Sequence, residues 1–153
     1  MPRPWQAACV YHVCIVARKQ HFSLRIEPAT KEALALQARH RNATISSLAE
    51  RYLDEAVRMA KHRGVFFADG PAGRRPRLLT GPDVWEVIET FLASGRSIRE
   101  TAEYLNVPDH LVEVAVDYYA DHRDEIDDWI AANQSLADEM EASWRRRDAI
   151  VNG

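Results

Sequence analysis

The clearest pattern in the sequence lies in residues 21–59, HFSLRIEPATKEALALQARHRNATISSLAERYLDEAVRM. At its start apolar and polar side chains alternate, so that Phe22, Leu24 and Ile26 share one face. A period of two is typical of a β-strand with one buried face. Pro28 ends this pattern, because it has no N–H for a strand ladder and suits the first turn of a helix. The sequence therefore predicts a short strand followed at once by a helix.

A second helix follows the first after a short turn at Asn42. Asn tolerates the left-handed conformation that ends a helix. Thr44 or Ser46 can cap the second helix, and Ser47 with Glu50 has the spacing of a capping box. Apolar side chains then recur at helical spacing along one side of this helix. They are Leu48, Tyr52, Leu53, Ala56 and Val57.

A single short strand cannot stand alone, because its backbone groups would be left unpaired. No neighbouring stretch has the pattern of a hairpin partner, so we expect an identical strand from a second chain to form a two-stranded antiparallel ribbon over four helices. Strand, helix and helix in this order resemble the ribbon-helix-helix family, the Arc, MetJ and CopG type of dimeric DNA-binding protein. SLRIEP at residues 23–28, the Asn turn and TISSLAERYLDEA at residues 44–56 carry the resemblance. It implies a ribbon-helix-helix homodimer over residues 21–62.

The resemblance implies binding to double-stranded operator DNA and repression of transcription. If the ribbon lies in the major groove, the polar face of the strand points at base edges. Arg25 is then the expected guanine reader, through paired hydrogen bonds to O6 and N7. The second helix begins with free amides and a positive dipole end, which suit a phosphate. The expected DNA-binding residues are His21, Ser23, Arg25, Asn42, Thr44, Ser46 and Ser47.

Charge divides the 153 residues into a basic front and an acidic back. The net charge is −3, but residues 1–63 carry +6, residues 64–80 carry +2 and residues 81–153 carry −11. A basic segment suits phosphate, whereas an acidic one repels nucleic acid and suits a protein partner. The split therefore predicts two different partners.

Residues 63–126 are expected to form a β-hairpin and a helical domain. Val65, Phe66 and Phe67 favour a strand, residues 69–73 are a strong turn signal, and residues 74–79 can return as a second strand. The basic run GRRPR in this hairpin is either a DNA-contacting wing or a solvated hairpin strand.

Three helices are predicted after the hairpin. They begin at Gly81-Pro82-Asp83, at the capping-box pair of Ser97 and Glu100, and at Pro108. The last two have the rhythm of a helix–turn–helix. However, residues 108–122, in the position of a recognition helix, carry four carboxylates and no Lys or Arg. Such a helix repels phosphate, so we expect it to contact protein.

The same region resembles a small hairpin-plus-helices domain of bacterial antitoxins. That family has the motifs V-W-x-V, G-x-S-I-x-E and Y-Y-x-x-H-x-x-E-I, which occur here at residues 84–87, 95–100 and 118–126. The resemblance implies a type II toxin–antitoxin system in which a PIN-type ribonuclease toxin is neutralised by direct binding, as in VapBC systems. The antitoxin would also repress its own operon. The alternative function is a dimeric repressor without a toxin, whose helical domain serves oligomerisation or ligand sensing.

Residues 127–153 form an acidic, helical C-terminal tail that closes with Trp-Arg-Arg-Arg. Trp beside Arg is typical of an interface anchor, but Arg also suits the end of an ordinary helix docked on its own domain. An antitoxin tail should become ordered on its partner, whereas the tail of a plain repressor should pack on its own domain. The expected partner-binding residues are Trp129, Leu136, Met140, Trp144, Arg145, Arg146 and Arg147.

Residues 1–20 are expected to be a disordered N-terminal arm. They contain an apolar run of eleven, AACVYHVCIVA, but Arg18 and Lys19 follow it where a signal peptide would have a cleavage site. An upstream extension of the true start, and an arm that lies along DNA, remain open. Cys9 and Cys14 cannot staple the fold, so a reducing cytoplasm is the expected location.

Enzyme motifs do not occur in the sequence. It has no HExxH, no GxSxG, no P-loop and no Rossmann glycine pattern, and its six histidines are scattered. No run approaches the ~20 apolar residues that span a bilayer. We therefore expect a mainly α protein that is not an enzyme and has no catalytic residues, no metal, no cofactor and no membrane partner.

Overall fold

The computed structural model describes residues 21–152, and the arm expected at residues 1–20 lies outside them. The described chain is mainly helical with one two-stranded antiparallel sheet, as predicted. The elements in chain order are α1 (Pro28–His40), α2 (Ile45–Lys61), β1 (Val65–Gly70), β2 (Gly73–Leu78), α3 (Val84–Ala93), α4 (Ile98–Leu105), α5 (Asp109–Asp121) and α6 (Arg123–Val151).

Local capping fixes where the helices begin. Thr44 caps α2, because its hydroxyl accepts the Ser47 amide at 3.0 Å. Glu86 accepts the Asp83 amide at 2.8 Å at the start of α3. Ser97 accepts the amide of the third residue of α4, as its capping-box spacing predicts. The start of α5 differs by one residue from the prediction, since Pro108 keeps an extended backbone and serves as the cap.

The predicted hairpin is confirmed. Strands β1 and β2 pair from Val65 opposite Leu78 to Gly70 opposite Gly73, which leaves a two-residue turn. Gly73 has a φ of +119°, a backbone conformation that residues other than Gly adopt only with strain.

The hydrophobic core lies almost entirely in the C-terminal part of the described chain. It is formed where the hairpin, α3, α4, α5 and the start of α6 meet. By contrast, α1 and α2 contribute only Ala38 and Leu48 as buried apolar residues. The core residues are Val65, Leu78, Val84, Val87, Ile88, Ala102, Val107, Leu111, Val112, Ala115, Tyr118 and Ile126.

Helix α6 combines a packed beginning with a projecting end. Ile126 is fully buried and Ile130 packs against the core, so the first turns belong to the helical domain. The helix has 29 residues, which at a rise of 1.5 Å per residue makes it about 43 Å long. The boundary expected between residues 126 and 127 falls inside this continuous helix. No helix within residues 21–152 is long and apolar enough to span a membrane.

Candidate nucleic-acid and partner interfaces

Residues 21–27 have no regular secondary structure in the single chain, and every one of them is exposed. The sequence predicts a strand here, but a strand needs a hydrogen-bonded neighbour, and the described chain places none beside it. Phe22 is 73% exposed and Leu24 is 60% exposed. Both faces of the segment are therefore uncovered, including the face that carries His21, Ser23 and Arg25.

The turn between α1 and α2 presents polar groups at the start of α2. Asn42 has a φ of +49°, the left-handed conformation predicted for the end of the first helix. The hydroxyl of Thr44 also donates to that of Ser47 at 2.9 Å, and Ser47 donates to the Thr44 carbonyl at 3.0 Å. Ser46 is exposed beside them. The residues expected to bind phosphate are thus brought together at one helix end.

Seven large apolar side chains are exposed between residues 22 and 57, in the segment before α1 and on both N-terminal helices, and we call them together the uncovered apolar surface. Leu48 faces inwards on α2, but Leu53 and Val57 on the side predicted to be apolar are exposed. Large exposed apolar patches mark surfaces that another molecule covers. The exposed large apolar residues of this surface are Phe22, Leu24, Ile26, Leu36, Ile45, Leu53 and Val57.

Five charged side chains, which we call the corner cluster, join the hairpin to α1 and α2. They are Arg41, Arg51, Glu55, Asp69 and Arg74. Arg74 donates from Nε and Nη2 to buried Glu55 at 2.6 and 2.7 Å. Arg41 donates from both Nη atoms to Asp69 at 3.2 and 3.0 Å. The hydrogen bond from Arg41 chiefly lowers the pKa of Asp69, and the hydrogen bond to Glu55 raises the pKa of Arg74.

A second set of contacts joins the end of α2 to α5 and α6. Arg58 donates to the Tyr118 hydroxyl at 3.0 Å and to Glu125 at 2.5 Å. Burial raises the pKa of Tyr118 to about 12. Buried His62 lies with Nε2 2.9 Å from Asp121 Oδ2, at ion-pair distance but without the alignment of a hydrogen bond. These contacts attach the predicted DNA-binding unit firmly to the helical domain.

The arginines of the GRRPR run are engaged within the protein. Arg74 holds Glu55, Arg75 pairs with the Asp83 carboxylate, and Arg77 donates to the Gly81 carbonyl at 3.1 Å. The sequence suggested either a DNA-contacting wing or a solvated strand for this run, and neither expectation includes these contacts.

Helix α5 has the acidic surface predicted for it. Its residues include no Lys or Arg, and its four carboxylates, on Asp109, Glu113, Asp117 and Asp121, are all exposed. Such a surface is expected to repel the phosphates of DNA.

The expected partner-binding residues of α6 fall into two groups. Trp129 lies against its own hairpin, with the Arg75 guanidinium 5.9 Å from its ring centroid. Leu136, Met140 and Trp144 follow at intervals of four residues and are all more than half exposed. Arg145 is paired with Glu141 at 2.5 Å, whereas Arg146 and Arg147 make no ion pair within the described residues. The exposed face therefore begins at Leu136.

Within residues 21–152 no group of three or more His, Cys, Asp or Glu side chains could hold a metal ion. Comparisons with models of known protein families, with curated proteins and with solved structures find no match for this chain.

Proposed function

We propose that this protein is a dimeric DNA-binding antitoxin that represses its own operon and neutralises a PIN-type ribonuclease by direct binding. The observation that carries the proposal is the uncovered apolar surface of residues 22–57. Burying it against an identical surface would pair the two segments 21–27 as a ribbon. Each exposed apolar side chain that becomes buried contributes about 1.5–3 kcal/mol.

DNA contact is assigned to the face of this dimer opposite its apolar side. His21, Ser23 and Arg25 alternate with the apolar residues and would point into the major groove. The α2 start, with Ser46 and the Thr44 cap, would approach a phosphate. This unit also lies in the basic front of the chain, as an affinity for phosphate requires.

The partner site is assigned to the projecting half of α6. Trp144, 56% exposed, is the central apolar anchor. The resemblance implies a nuclease whose carboxylates hold Mg²⁺, so its empty pocket is negative. Arg146 and Arg147 can form charge-assisted pairs with those carboxylates. A plain repressor would pack this half on its own domain, and its exposure here favours the antitoxin over that alternative.

Coexpression with the small PIN-type nuclease expected from the neighbouring gene tests the proposal. A fragment ending at Gln134 retains Trp129 and Ile130, which pack on the helical domain, and loses the exposed face. We expect it to dimerise and bind DNA from its own upstream region, but not to copurify with the nuclease or inhibit it. Full inhibition by the fragment would place the partner site elsewhere.

Single substitutions sharpen this test. Trp144→Ala should weaken nuclease binding by about 2 kcal/mol, the usual loss at a central interface Trp. Ile150→Ala, on an even more exposed residue of the same helix, is the matched control and should change binding little. Equal effects from both would contradict a central anchor at Trp144.

A further inference from the structure

Two arginines meet at Asp69 near the tip of the hairpin. Arg41 donates two hydrogen bonds to it, and Arg74 Nη1 lies 3.3 Å from the same carboxylate. The two cations come from the end of α1 and from β2. Converging guanidinium groups are the usual means by which proteins hold a phosphate.

The corner cluster also has more cations than anions. Two nitrogens of Arg74 donate hydrogen bonds to Glu55, and the Arg41 guanidinium donates to Asp69. Arg51 adds a third positive charge, with its Nε 3.8 Å from Glu55, although its Nε and Nη2 are buried and do not reach the surface. The cluster therefore holds three positive charges against two negative ones, a balance that suits an anion.

The position of Arg41 relates this cluster to DNA. Arg41 is the C-terminal cap of α1, and it lies three residues before Thr44, the N-terminal cap of α2. It thus belongs to the turn at which the proposed function places a DNA phosphate. In the free protein, however, its guanidinium is turned onto Asp69.

We propose that Asp69 occupies a phosphate-binding site of the DNA interface and competes with a DNA phosphate for Arg41. This inference rests on the proposed DNA binding, and it adds Asp69 as a residue that lowers the affinity for DNA. The side chains of Arg41 and Asp69 are 31% and 52% exposed, so the ion pair is weak enough for a phosphate to displace. Because Asp69 belongs to the hairpin, the exchange also couples the helical domain to the DNA-binding unit.

Replacing Asp69 by Asn tests the competition. The probe is a short mixed-sequence DNA duplex, titrated with the full chain by fluorescence anisotropy over a series of salt concentrations. We expect Asp69→Asn to bind about fivefold more tightly, the scale of an exposed ion pair in each of two subunits. The slope of log K against log salt should steepen by up to about 0.9 per subunit, the value of one phosphate contact, to the extent that Asp69 still holds Arg41 in the complex of the unmodified chain.

Asp54→Asn is the matched control. Asp54 is 54% exposed on α2 and pairs with Arg58 at 2.9 Å, outside the corner cluster. Its replacement changes the net charge by the same amount, but it should leave the salt slope unchanged. Adding Arg41→Gln to Asp69→Asn should abolish the gain, and circular dichroism establishes that each variant is folded.

The possible outcomes separate this inference from the proposed function. If the unmodified chain and all variants fail to bind duplex DNA, both are overturned. Suppose instead that the chain binds duplex DNA. If the affinity of Asp69→Asn then rises no more than that of Asp54→Asn, or if the rise persists when Arg41→Gln is added, only the competition is overturned.

Discussion

Arg25 lies on the exposed segment before α1 and makes no contact that would fix it for a structural role within the described chain. Arg25→Ala should therefore leave folding intact and lose about 1–3 kcal/mol of operator affinity per base contact, with relaxed specificity. Arg39→Ala, an exposed arginine in the last turn of α1, is the control and should weaken all sequences alike. Footprinting and affinity measurements on operator and mixed-sequence DNA distinguish the two, and an unchanged footprint for Arg25→Ala would contradict its role.

His122 makes stability depend on pH. Burial, and then the charge of Arg58, lower its pKa, so the unfolded chain binds a proton more readily than the folded one. The sign of the linkage follows: the free energy of unfolding should fall as pH drops from about 8 to 5. Asp121 has a lowered pKa as well, but its contribution is lost only at more acidic pH. Urea unfolding should show the dependence, and His122→Gln should flatten it. An equally steep dependence in that variant would assign the effect to another group.

Single residues show which features a sequence can predict. Ser97 could be assigned as a cap, and Thr44 as one of two candidate caps, because a cap and its partner amide lie three residues apart. The ion pairs of Arg41 with Asp69 and of Arg58 with Glu125 span 28 and 67 residues. Nothing local distinguishes such side chains from solvated charges, so the corner cluster was not predicted.

Among the elements, the segment 21–27 allows the most direct test of the proposed dimer. Leu24→Pro removes a backbone donor that a ribbon strand requires and should convert the proposed dimer into a monomer. Leu24→Val keeps both the donor and the apolar side chain and should remain dimeric. Sedimentation velocity measures both, and a dimeric Leu24→Pro variant would place the interface outside the ribbon.

Helix α6 allows two tryptophans of one element to be compared. Trp129→Ala removes a ring that packs against Arg75 and should lower the free energy of unfolding by about 1–3 kcal/mol. Trp144→Ala removes an exposed ring and should change it by less than about 0.5 kcal/mol. Thermal or urea unfolding provides the measurement. A similar loss for both would mean that Trp144 also packs on its own chain.

The elements themselves were predictable where apolar periodicity and capping agree, as in the hairpin and the helices that follow it. The separate C-terminal tail was inferred from its acidic composition. Its boundary falls inside α6 because a change from apolar to acidic residues does not end a helix. The core continues through Ile126 to Ile130 on the same helix, which only the packing of α3 against α6 reveals.

At the scale of the whole molecule, the core is unevenly distributed. In the single chain, residues 21–62 bury few apolar side chains, whereas the helical domain has a core of its own. We expect dilution to weaken the fold of the N-terminal unit and to leave that of the helical domain unchanged. Helical circular dichroism should reveal the concentration-dependent step, and no Trp lies in residues 21–62, so tryptophan fluorescence should not follow it. A single transition independent of concentration would argue against the dimer.

The projecting half of α6 has a consequence for the lifetime of the protein. Cleavage by a protease requires local opening, and a helix with few tertiary contacts opens most easily. A nick beyond Gln134 would remove Leu136, Met140 and Trp144 together while sparing the core and the N-terminal unit. Under the proposed function, one cut would thus release the nuclease and leave a fragment that still occupies the operator. A bound nuclease would cover the same helix and slow that cut, so in this proposal the ratio of the two proteins would set how long inhibition lasts.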